Sequence, residues 1–329
     1  MQLTKILALA ADIKLKDAAA SEGARWEKFY RLKLDAIDLA ALQAPTPPDG
    51  PDPALVFATS TGAPLDWQGV RATAARLGAR AVFFVAADIN YVKRYATWYA
   101  RSVLMCAGVP CLVIVHVIGG APALAALAGE LGITDKLLIF AGDHFDAATA
   151  TARAVDSPLD KVMTLPVAHF QSMRFIVLGA LMRQLNLPVL VSDIDTILQR
   201  GVADLLSANA DMDVVFNQNP QGLSHADHVT ANLLLVYPSA NAAMFLRFLR
   251  SYLERYLRKP EVIRWIDQIG LLLARHYLRS LSGARVGTFQ DTDINNWMYA
   301  QYAPNPYRFL SLYQGFDMAS LERLIAAKR

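Results

Sequence analysis

Cysteine is nearly missing from this 329-residue chain. Its two, Cys106 and Cys111, flank a helix end and an apolar strand and form neither a disulfide framework nor a zinc-like spacing. A reducing compartment follows. No apolar run reaches the roughly 18 residues that a membrane span needs, and residues 1–12 are too short and too weakly flanked for a good signal peptide. Excess charge is missing as well. Lys and Arg number 32 against 29 Asp and Glu, a net of +3, so no global field draws the chain to nucleic acid or anionic lipid. These absences set the expectation of a cytoplasmic protein without a nucleic-acid partner, peripheral contact with the inner face of a membrane staying open. Glutamate is scarce: 23 of the 29 acidic residues are Asp, which concentrates at strand ends and turns, binding cations or capping backbone.

What is present is core. With 54% hydrophobic residues the chain can bury a sizeable interior. Residues up to about Leu42 read as one or two amphipathic helices, with Trp26, Tyr30, Leu32 and Leu34 typical of the stretch, and 44–51 is too rich in proline to continue a helix. The expected division is a helical extension with its linker at 1–52 and one α/β domain at 53–329. From about Ala54, short apolar runs alternate with helical periods, the pattern of βα units and a mostly parallel sheet. Residues 81–87 predict a strand buried on both faces that ends at Asp88-Ile89-Asn90-Tyr91. A helix through 95–104 follows, then strands at 111–117 and 136–140. Residues 170–185 form a helix with Met173, Val177, Leu181 and Leu185 on one stripe, and 188–192 form a strand that stops at Asp193. Ligands of open α/β sheets bind beyond the carboxyl ends of the strands, so Asp88 and Asp193 should face one crevice.

Three Asp-x-Asp tripeptides occur, where this composition yields about one or two by chance. Asp211-Met212-Asp213 precedes a strand, and Asp291-Thr292-Asp293 lies in a polar segment with no strand before it. Only Asp193-Ile194-Asp195 has an apolar strand in front and a helical segment at 203–206 behind, with alternation that sends both carboxylates to one side. Two hard oxygen ligands suit Mg²⁺ or Mn²⁺, which leave positions for water and phosphate oxygens. Acidic residues capping a loop are the plain alternative.

In order, Asp88-Ile89-Asn90-Tyr91, Arg174 in Ser172-Met173-Arg174-Phe175, Asp193-Ile194-Asp195, Asn232 in Ala231-Asn232-Leu233, and Asp267-Gln268 resemble the GT-A glycosyltransferases, most of all families 8 and 77. The resemblance covers about Phe83 to Gln268. It implies a Rossmann-like, mixed but mostly parallel sheet flanked by helices, and transfer of a sugar from a nucleoside-diphosphate donor, a UDP-sugar, with anomeric retention. It further implies that Asp88, Asn90 and Tyr91 receive the nucleotide, with Tyr91 stacked on the base, and that Arg174 meets the diphosphate or donor sugar. Asp193 and Asp195 would hold the metal, Asn232 would bond the donor sugar, Asp267 would orient hydroxyls, and Gln268 would sit beside the anomeric carbon. The acceptor stays open among a saccharide, a lipid-linked glycan and a protein.

The late His-x-x-Gly and Lys-Pro-Trp segment of family 8 is missing. Asp291 or Asp293 could replace its His as an oxygen ligand, or could belong to a surface loop. His225 and His228 have metal-like spacing but sit in a loop-forming stretch, and His276 lies on an apolar helix and packs. Tyr95, Trp98 and Tyr99 fall at helical spacing and read as core or rim. Residues 247–259 make a basic amphipathic helix face, solvated or docked on anionic lipid. Two other readings compete. Asp193-Ile194-Asp195-Thr196 also resembles the start of haloacid-dehalogenase phosphatases, with Asp193 as nucleophile, but lacks the Gly before Thr196 and a later Gly-Asp motif. A non-catalytic nucleotide-binding scaffold is the other.

Overall fold

The structure is a computed structural model and describes residues 52–133, 136–146, 153–154, 167–218, 229–258, 261–262, 266–290, 293–294 and 307–311. The expectations for 1–51, His225, His228 and Asp291 lie outside these residues. In chain order the elements are β1 (Val56–Thr59), β2 (Pro64–Leu65), α1 (Trp67–Arg76), β3 (Ala81–Asp88), α2 (Ile89–Cys106), β4 (Cys111–Ile118), α3 (Leu124–Leu131), β5 (Leu138–Gly142), β6 (Arg153–Ala154), α4 (Val167–Leu185), β7 (Val189–Ser192), β8 (Thr196–Leu198), α5 (Ala203–Ala208), β9 (Val214–Gln218), β10 (Val229–Val236), α6 (Ala240–Leu257), β11 (Glu261–Val262), α7 (Ile266–Ser280), β12 (Val286–Thr288) and β13 (Phe309–Ser311).

Nine strands form one sheet in the order β12-β9-β10-β7-β3-β4-β5-β1-β2. Its pairings leave β1 and β10 running against the rest, so the sheet is mixed and mostly parallel. The apolar run of β3 explains its central place. Val82 and Phe84 enter one core with Phe175 and Phe245, while Phe83 and Val85 enter the other with Tyr99 and Val103. Alternation sends successive side chains to opposite faces, and both faces are covered by helices. Each of these phenylalanines is fully buried, worth about 1.5–3 kcal/mol apiece.

Strand order reverses at β3. The chain steps outward from β3 through β4 to β5, then returns through α4, which packs on β3 and against α6 and α7, to lay β7 on the other side of β3. Asp88 and Asp193 therefore stand at the carboxyl ends of adjacent parallel strands, where open sheets bind ligands.

Three boundaries differ from expectation. The helix after β3 starts at Ile89 because Asp88 caps it, its Oδ1 accepting from Asn90 N–H at 2.8 Å and Tyr91 N–H at 3.2 Å. The third predicted strand is β5, shifted to end at Gly142. Between Asp195 and α5 lies the short strand β8, which pairs antiparallel with β13, a contact invisible in local pattern. Among the described residues no helix is long and apolar enough to cross a membrane.

Candidate functional site

The turn after β7 is pinned from both sides. Ser192 Oγ donates to Tyr99 Oη at 3.1 Å, Ile194 is buried, and Asp193 N–H reaches the Asn232 carbonyl on β10 at 3.4 Å. With Ile194 anchored in the core, the flanking Asp193 and Asp195 occupy one turn. Burial and then the charge of Asp193 push the Asp195 carboxyl up to about 7, against the weaker opposing pull of Arg174 and Arg94. Two carboxylates this close need a cation or a proton. The pair fits a divalent ion on its donor chemistry, hard oxygens on one short turn, with Asp193 also taking a bond from Arg174. Among the described residues no third His, Cys, Asp or Glu joins them.

Asp293, one proposed third ligand, is instead committed elsewhere. It is buried, and it accepts from Arg308 Nε and from Gln290 N–H, each at 3.0 Å. Asp213 of the second tripeptide is equally structural. It precedes β9 at the amino end of that strand and accepts from Ser239 Oγ at 2.5 Å and Arg285 N–H at 2.7 Å. His276 is half-buried on α7, with burial and then Arg275 and Arg279 lowering its pKa.

Arg174 ties the turn after β7 to the start of α7. From α4 its Nη1 donates to Asp193 Oδ1 and its Nη2 to Asp267 Oδ2 at 3.4 Å, while the guanidinium lies 4.9 Å from the Phe175 ring centroid. Both Arg174 and Asp267 are buried. Burial opposes the charge on Arg174, but the two carboxylates outweigh it and hold the group protonated. Burial raises the Asp267 carboxyl, with Arg174 offsetting part of the effect. Asp267 stands in the first turn of α7, where the helix dipole favours an anion. Around this pair, Arg174 Nε, Asp267 Oδ1 and Gln268 Oε1 are buried without a hydrogen-bond partner. Native proteins rarely leave such atoms unsatisfied, so the three stand out among the described residues as polar groups free to bond a ligand.

The strand-end turn of β3 borders the same carboxylates. Tyr91 is 44% exposed, and its hydroxyl pKa is raised by burial and then by the charge of Asp195. Asn90 is exposed beside it, and Asp88 is engaged as helix cap. Tyr95 and Tyr99 are buried and Trp98 partly buried, the core role expected of them. The structure thus brings Asp193, Asp195, Arg174 and Asp267 together through direct contacts or charge, with Tyr91 at their edge and Asn232 joined to Asp193 by its backbone carbonyl. Sequence reading missed three neighbours. Arg94, 5.0 Å from the Tyr95 ring, acts on Asp195, and Asn217 and Thr230 bond the Asn232 amide. No signal marked Asn217, because its contact spans two strands, whereas Thr230 lies two residues before Asn232 on β10 itself.

No protein-family model matches the chain, and no curated protein matches it. Solved structures do match. The galactosyltransferase LgtC, solved with donor and acceptor sugar analogues, is 13% identical at a TM-score of 0.45, over 75% of this chain and 95% of that one. The glycosyltransferase GlyE of Streptococcus pneumoniae, in its apo form, is 14% identical at 0.44, over 76% of this chain and 60% of its own. Mouse xyloside xylosyltransferase 1 is 11% identical at 0.39, over 71% and 96%. The likeness is one of chain path, and the chemistry rests on the side chains above.

Proposed function

We propose that the chain is a glycosyltransferase that moves a sugar from a nucleoside-diphosphate donor, a UDP-sugar, to a hydroxyl acceptor, depends on Mn²⁺ or Mg²⁺, and retains anomeric configuration as the family resemblance implies. The observation that carries this reading is the Arg174 bridge. It ion-pairs with Asp193 in the turn after β7 and with Asp267 in the first turn of α7, which supports one shared site for diphosphate and sugar.

Asp193 and Asp195 would hold the metal, and a bound divalent ion neutralises charge developing on the leaving diphosphate. Arg174 adds a desolvated guanidinium beside these carboxylates, its two Nη groups on Asp193 and Asp267 and its Nε unpartnered among the described residues, a planar donor of the kind that bonds phosphate oxygens. Tyr91, exposed at the strand end, offers a ring to the base, with Asn90 beside it and Asp88 holding the turn in shape. Asp267 and Gln268 present unpartnered oxygens, Oδ1 and Oε1, that accept from sugar hydroxyls and face a developing oxocarbenium with partial negative charge. Asn232 supplies a hydrogen bond to the donor sugar from β10.

A thermal-shift screen of UDP-sugars with and without Mn²⁺ tests the reading. A donor present at about 100 times its Kd stabilises by about 2.7 kcal/mol through mass action, and only with the metal. Asp195→Ala should abolish the Mn²⁺-dependent shift and sugar transfer while the far-ultraviolet spectrum is kept. Unchanged transfer by that variant overturns the assignment, as does phosphate release from aryl phosphates without any nucleotide sugar.

A further inference from the structure

Three buried polar side chains meet where the ladder between β9 and β10 is broken. Thr230 pairs with Asn217 and Leu234 with Phe216, so residues 231–233 of β10 have no counterpart on β9. On its other edge β10 keeps register, Leu233 opposite Ser192. Irregularities of this kind re-aim a side chain. Asn232 is the middle residue of the gap and its one polar side chain.

Asn232 Oδ1 accepts from Asn217 Nδ2 at 2.7 Å and from Thr230 Oγ1 at 2.7 Å, and Asn217 Nδ2 also donates to Thr230 Oγ1 at 2.6 Å. All three residues are buried. A carboxamide oxygen has two lone pairs, and both are engaged. What remains is Nδ2, whose two N–H groups have no partner among the described residues. With the Asn217 amide oriented as it is, turning that of Asn232 would set NH₂ against NH₂ and lose both bonds to Oδ1.

We propose that Asn217 and Thr230 are positioning residues that lock Asn232 as a donor-only group, so that the sugar position facing it must carry an acceptor such as a hydroxyl or acylated amine and not a protonated amine. This rests on the glycosyltransferase reading above. In the glycosyltransferase reading the oxygens of Asp267 and Gln268, unpartnered among the described residues, are the acceptors offered to the same sugar. A hydroxyl can accept from Asn232 and donate to one of them. An ammonium has only donors and would face the Asn232 N–H groups with none to receive them. A site built to bond a particular oxygen discriminates through the polar groups left unpaired when that oxygen is missing.

The test compares wild type with Asn217→Ala, Thr230→Val and Asn232→Ala, and with each of the first two combined with the third, measuring UDP release from UDP-glucose and UDP-galactose and from their 2-, 3-, 4- and 6-amino analogues. Wild type should reject the free amine at one ring position by about tenfold or more in kcat/KM. Asn217→Ala and Thr230→Val should each cost about tenfold with the hexose and relax that rejection, yet add nothing in the Asn232→Ala background. Thr230→Val is nearly isosteric and carries the comparison if Asn217→Ala does not fold. Equal losses with and without Asn232, or indifference to the amine at every position, overturn the proposal while leaving a working transferase. A wild type that turns over neither hexose donor sinks the glycosyltransferase reading and this proposal with it.

Discussion

Arg174 balances the charge of the crevice. Its guanidinium is buried between Asp193 and Asp267, an arrangement in which desolvation nearly cancels attraction, so the bridge is weak grounds for stability but costly to break. Removing the cation strands Asp267, whose carboxyl is already pushed up by burial. Arg174→Ala should lower unfolding free energy by about 3 kcal/mol, read from the urea midpoint at pH 7, and should eliminate donor turnover. Arg174→Lys restores one charge but not the fork that reaches two carboxylates. It should recover part of the stability and little of the turnover, whereas full recovery of turnover would mean that charge alone matters there.

The loops that close β4 and β5 form an element with its own pH dependence. His116 pairs in register with Ala141, and its Nε2 lies 2.8 Å from Asp143 Oδ2 just beyond β5. Asp143 Oδ1 accepts from Gly119 N–H at 2.7 Å and Phe145 N–H at 2.8 Å, so one carboxylate fastens both loops. Gly119 adopts φ 70, and a Cβ there would lie 2.6 Å from the Phe145 carbonyl oxygen, which only glycine avoids. Burial pushes the Asp143 carboxyl up, but the bond and charge of His116 with the two amides outweigh it and hold it below the ordinary carboxylate value. The unfolded chain therefore binds the proton more readily. The contribution is fully present above the ordinary value of about 3.9 and is lost as pH falls through the lower folded value. Asp143→Asn should be less stable than wild type at pH 7 by about 1 kcal/mol or more, and the gap should narrow as urea melts are taken down toward pH 3. A gap that stays constant over that range would show that the carboxylate charge contributes nothing.

At the scale of the whole molecule the described unit begins at Asp52, which ion-pairs with Arg183 on α4 and lies 3.7 Å from Arg250 on α6. The extension and linker expected before it stay a proposal, tested by removing residues 1–51. The shortened chain should keep its melting temperature within about 2 °C and its shift with a UDP-sugar and Mn²⁺, and a chain that no longer folds would place the extension inside the core. Much of the architecture is local information. The apolar runs of β3 and β7 announce parallel strands buried on both faces, and Asp88 and Asp193 mark their carboxyl ends, because hydrophobic period and strand-end residues are written in consecutive positions. The start of α2 misleads for the same local reason, one Asp serving both as strand-end motif and as helix cap. What neighbouring residues cannot encode is which distant groups meet. The reversed direction of β10, the contact of Asn232 with Asn217 across the gap, the commitment of Asp293 to Arg308, and the Arg174 bridge between Asp193 and Asp267 all join positions 15 or more residues apart, and Arg174 and Asp267 are separated by 93. Sequence by itself determined the buried parallel strands β3, β4 and β7 and the kinds of oxygen and nitrogen available at the ends of β3 and β7. Tertiary structure alone decided which of them are spent on one another and which are left for a ligand, because hydrogen-bond satisfaction is settled only once the chain has packed.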